Sequence, residues 1–294
     1  TPAAHMTHEW QEIEELSRTA RYGPLRDGSV PRRCVRVLHQ GRTAVLQDHP
    51  GEGAAMVAEA RLLEALHGQG LPVPQMLAQE EDWLLREDLP GGSPGGLFSA
   101  DCSREQLTAV FTQLARLHNV PLAAVVDTLA AQDRWVAVLD PTHPVHGVLR
   151  REAIADLSHP YAFASPPVLC HGDFHPGNVL CEGGHVTGIV DWDYAQISYA
   201  EFDLAYALLT FAMPQPDGRL VLDTYHSALQ IYMSARPLDF RLLDFMVNVA
   251  VRCLHDWAVS LPAAHPQRTE WVAHCVALIK TRPWETWHGS EPGR

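Results

Sequence analysis

The chain has 294 residues, 46% hydrophobic and 19% charged, with a net charge of -13. That is ordinary globular composition, long enough for one two-lobed domain or two small ones. The negative charge argues against nucleic acid, whose phosphates demand a basic surface, and against anionic membranes, while remaining compatible with a cationic small molecule. No run approaches the about 18 apolar residues of a membrane span. No basic-then-apolar leader opens the chain, and residues 1–6 read as an added remnant with Met6 as the natural start. The six cysteines are scattered, without C-x-x-C, and read as reduced thiols of a cytoplasmic protein.

Glu9 to Thr19 is acidic and is expected to be helical. Cys34 to Leu38 alternates polar and apolar and reads as a strand; Gln40-Gly41-Arg42 turns the chain into a second strand, Thr43 to Gln47. Met56, Ala60, Leu63 and Leu66 recur at helical spacing. Gly70 to Pro74 ends that helix, and Trp83 to Gly91 reads as a strand running into a connection. Gly91 to Gly96 is glycine-rich but lacks the Gly-Lys-Ser/Thr ending of a Walker loop, so it reads as a linker. Ser103 with Gln106 forms a capping box. The helix it opens carries Leu107, Val110, Phe111, Leu114 and Leu117 on one face and ends near His118. Residues 120–165 mix helical signals with prolines. After the motifs described next, Leu204 to Phe211 reads as a helix, 213–218 as a loop, and three helices are expected near 220–235, 238–260 and 267–286.

The most informative stretch is Cys170-His171-Gly172-Asp173-Phe174-His175-Pro176-Gly177-Asn178-Val179-Leu180, followed by Gly188-Ile189-Val190-Asp191-Trp192-Asp193. Val168 and Leu169 lead in, Pro176 and Gly177 force a turn, and Val179 and Leu180 lead out, giving strand, tight loop, strand. A return strand then ends in Asp191. A hairpin of this kind gathers Asp173, Asn178 and Asp191, all oxygen ligands suited to Mg²⁺. Phosphoryl transfer needs metal ions on the phosphates and a carboxylate to accept the acceptor's proton. His171, Asp173 and Asn178 match in register the kinase loop H-R-D-x-x-x-x-N, and Asp191 stands where the D-F-G aspartate stands. A competing reading takes His171, Asp173 and His175 as ligands of a hydrolytic metal; the Pro-Gly-Asn continuation and Asp191 favour phosphotransfer.

In this wording, HGDFHPGNVL and then IVDWDYA, the chain resembles the aminoglycoside phosphotransferase and choline kinase family of small-molecule kinases. The resemblance implies an α+β, two-lobed protein-kinase-like fold, with a nucleotide-covering lobe over 1–88 and a catalytic and acceptor-binding lobe over 89–294. It implies Asp173 as catalytic base, Asn178 and Asp191 as Mg²⁺ ligands, and His171, His118 and Asp203 as structural residues. His175 falls where a phosphate-facing lysine often stands. Gly28 and Ser29 fall at the phosphate-covering loop, Gln47 at the strand lysine and Glu59 at its helix partner. Glu87 and Leu89 fall at the nucleobase-contacting hinge, expected near Arg86 to Leu89. The donor would be ATP or GTP. The acceptor would be a hydroxyl of an aminoglycoside or other antibiotic, an amino alcohol or a sugar. Asp193 is the foremost candidate to hold it, ahead of Glu201, Asp239, Asp256 and Trp257.

One departure from the family pattern stands out. Lys280 is the only lysine in the chain, so Gln47 has no lysine to replace it. Either Arg36 or Arg42 substitutes for the missing charge, or the nucleotide is held mainly by Mg²⁺ and backbone groups. The alternative is a degenerate, scaffold-like kinase relative.

Overall fold

Five strands of the first ninety residues pair in one antiparallel sheet. Across the sheet they run β1 (Gln11–Thr19), β2 (Arg32–His39), β3 (Arg42–Asp48), β5 (Trp83–Glu87) and β4 (Met76–Glu80). The structure is a computed structural model and describes residues 11–19, 32–48, 53–80, 83–96, 99–128, 165–213, 221–282 and 284. The β2–β3 turn is the two residues Gln40 and Gly41, both at positive φ (49° and 76°). Such turns match the twist of the strands they join.

Alternation along β3 divides the two faces of the sheet. Ala44 and Leu46 join Val35, Val37 and Leu85 in one apolar cluster. On the opposite face Leu84 packs with Met56 and Ala60 of helix α1 (Gly53–Gly68). Each buried Val, Leu or Met side chain among these contributes about 2 kcal/mol relative to exposure.

The acidic stretch expected as a helix is instead the edge strand β1. Its Ile13 and Leu16 stay exposed, so no apolar helix face exists to bury. Pairing along β2 satisfies its backbone and sets Glu14 opposite Arg36, with which it forms an ion pair. Tertiary pairing thus overrides local propensity.

By its internal contacts the chain divides into two compact units, Thr1–Pro90 with Asp127–Ala130, and Gly91–Val126 with Ala131–Arg294. In the second unit Ser103 caps α2 (Arg104–His118) with the expected reciprocal box. The short strands β6 (Gly95–Gly96) and β7 (Ser99–Ala100) pair with each other. Strand β8 (Val168–Cys170) pairs with β11 (Gln196–Ser198), and β9 (Val179–Glu182) with β10 (His185–Ile189). Helices α3 (Ala200–Phe211), α4 (Leu222–Met233), α5 (Phe240–Ser260) and α6 (Arg268–Thr281) follow. In this unit α3 packs on α5, α5 on α6 and α2 on α4, and Phe111 meets Phe211 edge to face at 5.6 Å while Phe174 lies against Phe211.

The stretch from Gly91 to Gly96 is more than a linker. Gly92 and Cys181 exchange backbone hydrogen bonds, and Ser93 Oγ donates to the Pro176 carbonyl at 2.7 Å. At Gly91, φ is 97° and an added Cβ would collide with the Cys181 backbone, so glycine is required there. All six cysteines are free thiols. Among the described residues no helix is long and apolar enough to cross a membrane.

Candidate active site

The loop between β8 and β9 is held from below by one carboxylate. Asp203, fully buried near the start of α3, accepts hydrogen bonds from the backbone N–H of His171 and, at 2.9 Å, of Gly172. His118 Nε2 meets the same carboxylate at 3.3 Å, and its Nδ1 meets the Tyr232 hydroxyl at 2.6 Å. Gly172 has φ 84°, and a Cβ there would overlap the Tyr194 backbone. Both constraints demand glycine at the position before Asp173.

His171 is buried, and burial pushes its imidazole below the ordinary range, against the pull of Asp203, Asp173 and Asp191. Its Nε2 meets the Val190 carbonyl at 2.9 Å, while the Asp173 N–H donates to its Nδ1 at 3.3 Å. These bonds fix the neutral Nε2–H tautomer. With both nitrogens used, His171 ties the loop to the strand leading to Asp191 and has no atom left for a hydrolytic metal. Cys170 is also spent: burial, then Asp203 and Glu201, push its thiol well up, and it donates to the Tyr199 carbonyl. Among the described residues, His118, Cys170 and Asp203 form a cluster with metal-ligand spacing, but it is fully buried. Its carboxylate already receives two backbone N–H groups.

Asp173 is gripped from several sides. Asn178 Nδ2 donates to its carbonyl at 2.9 Å and to Oδ2 at 3.2 Å. His175 Nε2 lies 3.6 Å from Oδ2. Its Nδ1 accepts from the Gly177 N–H at 3.0 Å, capping the short turn at 176–178. That bond leaves the ring proton on Nε2, aimed at Asp173. Burial raises the Asp173 carboxyl, but hydrogen bonding from His175 and from the Tyr206 hydroxyl outweighs it and holds the group below its ordinary value. Tyr206 itself is pushed well up by burial and by the Asp173 charge, so its hydroxyl keeps its proton as a donor.

Asn178 and Asp191 both lie at the open end of the β9–β10 hairpin. The closed end is the two-glycine turn Gly183–Gly184, with φ 53° and 80°. Val179 pairs with Ile189, and the Val190 N–H donates to the Asn178 carbonyl at 3.0 Å. Asp191 follows directly, half-buried, with a left-handed φ of 65°. Aspartate tolerates that conformation better than most residues, and such outliers cluster at functional sites. Since Asn178 donates through Nδ2 to Asp173, its Oδ1 is the end left to act as an acceptor. That oxygen and the Asp191 carboxylate are a donor set that fits a hard divalent cation.

The remaining candidates spread out. Asp193 is half-buried on the turn between Trp192 and Tyr194. Glu201 is buried and accepts from Ser165 Oγ at 2.7 Å and from the Asp239 N–H at 3.0 Å. Asp239 caps α5 through Arg241 N and Leu242 N. Trp257 stacks at 5.4 Å on Trp271. The side chain of Asp256 lies outside the described residues, as do Gly28 and Ser29.

In the N-terminal unit, Gln47 is buried on β3 and Glu59 is buried on α1. Arg36, an expected substitute for the missing lysine, is engaged by Asp88 at 2.7 Å and by Glu14. Arg42, the other, is exposed at the start of β3. The cation that meets Glu59 is Arg86, with Nη1 3.7 Å from Oε1. Arg86 and Glu87 belong to strand β5 rather than to a hinge. The Glu87 N–H is already bonded to the Gln75 carbonyl at 2.9 Å, and Leu89 follows, half-buried.

Sequence reasoning placed Arg86 at a hinge and did not mark Tyr206 or Ser93. Tyr206 stands three residues after Asp203, hence on the same helix face, which is a signal that was available. Ser93 and Arg86 carry no such local mark.

Comparison with known proteins agrees with this architecture. The macrolide 2'-phosphotransferase of Brachybacterium faecium superposes with TM-score 0.60 at 23% identity, covering 88% of this chain and 91% of its own. The homoserine kinase of Bartonella tribocorum is 24% identical over 253 residues, 78% of this chain and 74% of its own. The aminoglycoside 3'-phosphotransferase of Streptomyces fradiae is 27% identical over 220 residues, 68% of this chain and 79% of its own. The fold is thus that of the two-lobed, protein-kinase-like small-molecule phosphotransferases. The chain belongs to the phosphotransferase enzyme family, whose profile matches residues 22–238.

Proposed function

We propose that this protein transfers the γ-phosphate of ATP or GTP to a hydroxyl of a small molecule in the cytoplasm. The N-terminal unit is the nucleotide-covering lobe, and the C-terminal unit carries the catalytic loop and the acceptor site. Asp173 accepts the acceptor's proton as that oxygen bonds to the γ-phosphorus. The bond to the β–γ bridging oxygen breaks, and the nucleoside diphosphate leaves. A depressed carboxyl pKa keeps Asp173 ionised and ready. His175, with Nδ1 spent on the cap, orients Asp173. Asn178 and Asp191 would hold Mg²⁺, which neutralises phosphate charge when bound.

The observation that carries this reading is the Asn178 amide. It donates to Asp173, which leaves its side-chain oxygen without a part in that grip, and its backbone carbonyl accepts from Val190 N–H, the residue just before Asp191. One residue thereby couples the position of a base to that of a cation, an arrangement suited to phosphoryl transfer. For the acceptor, relatives named for homoserine and for aminoglycosides support an amine-bearing alcohol or amino sugar. Asp193 is the residue proposed to meet it.

The test is phosphate transfer from ATP and GTP, with and without Mg²⁺, across homoserine, ethanolamine, choline, aminoglycosides, macrolides and simple sugars. Mg²⁺-dependent turnover on one class supports the reading. No transfer on any, with no stabilisation by either nucleotide, favours a degenerate scaffold.

A further inference from the structure

Register decides which side chains share the α1-facing side of the sheet. On β3, Val45 lies opposite Arg86 and Gln47 opposite Leu84. Leu84 packs on Met56 and Ala60. Gln47, Leu84 and Arg86 therefore face α1 together, and Glu59 comes from α1 onto the same face. All three polar side chains are nearly closed to solvent, with exposures of 7% for Gln47, 8% for Glu59 and 7% for Arg86.

We propose that Arg86 is the cation that binds the nucleotide's phosphates in this protein, held by Glu59 in place of a strand lysine. The inference rests on the nucleotide-transfer reading given above. A buried ion pair contributes little net stability, because desolvation offsets its Coulomb attraction. A structural pair of this kind is normally bidentate at 2.7–2.9 Å. Here Nη1 stands 3.7 Å from the carboxylate and makes no hydrogen bond. The guanidinium has five donors in a fork that matches phosphate oxygens, so it keeps capacity for a second anion. In kinases the helix glutamate holds a β3 lysine against the α- and β-phosphates. This chain keeps the glutamate, has glutamine on β3, and supplies its positive charge from β5. Arginine's longer, forked side chain suits the more distant origin.

The experiment measures ATP and GTP affinity of the full chain by calorimetry, with thermal melting as the control for folding. Five proteins are compared: wild type, Arg86→Lys, Arg86→Gln, the neutral pair Glu59→Gln/Arg86→Gln, and the relocated cation Gln47→Lys/Arg86→Gln. The neutral pair should melt near wild type and bind nucleotide at least about tenfold more weakly, the effect of losing one charge-assisted phosphate contact. Arg86→Lys should lose a few-fold. Gln47→Lys/Arg86→Gln, which keeps a cation against Glu59, should recover most of the affinity. Wild-type affinity in the neutral pair would overturn the assignment of Arg86 alone. A wild type that binds neither nucleotide would overturn the nucleotide reading and this assignment together. If the neutral pair unfolds, the relocated cation decides: recovery supports the proposal, and binding no better than that of Arg86→Gln alone overturns it.

Discussion

The two polar centres of this molecule are built in opposite ways. Around Asp173, nearly every partner lies within about twenty residues of sequence. His171, His175 and Asn178 share its loop, and Val190 and Asp191 end the adjacent hairpin. Around Glu59, the partners come from β3, α1 and β5, and only sheet register brings them to one face. A local centre can be written as a motif. A register-built centre can exchange one residue for another on a neighbouring strand and leave no motif behind.

That contrast is open to substitution, beginning with a long-range prop of the local centre. Asp203→Ala removes the acceptor of two backbone N–H groups and the partner of His118. It should cost about 2–5 kcal/mol in chemical denaturation, since each stranded buried donor costs about 1–3 kcal/mol. A loss under about 1 kcal/mol would show that the loop holds itself. Gly172→Ala combines a positive φ with overlap on the Tyr194 backbone. Its destabilisation should be at least about 2 kcal/mol by the same measurement.

Tyr206→Phe probes electrostatics rather than folding. The hydroxyl helps hold the Asp173 carboxyl low, so its loss raises that pKa. A base must be ionised to act, so the acid limb of the kcat–pH profile should move to higher pH, with acceptor KM little changed and melting close to wild type. An unmoved limb would remove Tyr206 from the account. Glu14→Gln tests the smallest effect. The Glu14–Arg36 pair lies on an edge strand near solvent, and its loss should change stability by less than about 1 kcal/mol.

How much was legible follows the same division. The turn between β8 and β9, the capping box at Ser103 and the helices of the second unit were readable, because their signals are short-range and periodic. The acidic β1 was misread, because its state is set by pairing with β2 and not by its own composition. Gly91–Gly96 passed for a linker, because its partners Cys181 and Pro176 lie some eighty residues away. Gln47 was read at the strand-lysine position, and it lies buried on β3. Arg86 was assigned to a hinge, because the register of β3 on β5 cannot be counted from sequence alone.

The most direct test of the central claim is Asp173→Asn, measured for both nucleotide affinity and Mg²⁺-dependent phosphate transfer. Asparagine keeps an acceptor oxygen for the Asn178 amide but cannot take up a proton at neutral pH. The account predicts unchanged nucleotide binding with kcat lowered by about 10²–10⁴, the range of a lost general base. Transfer at the wild-type rate would show that Asp173 is not the base, and the reading of the site would fail.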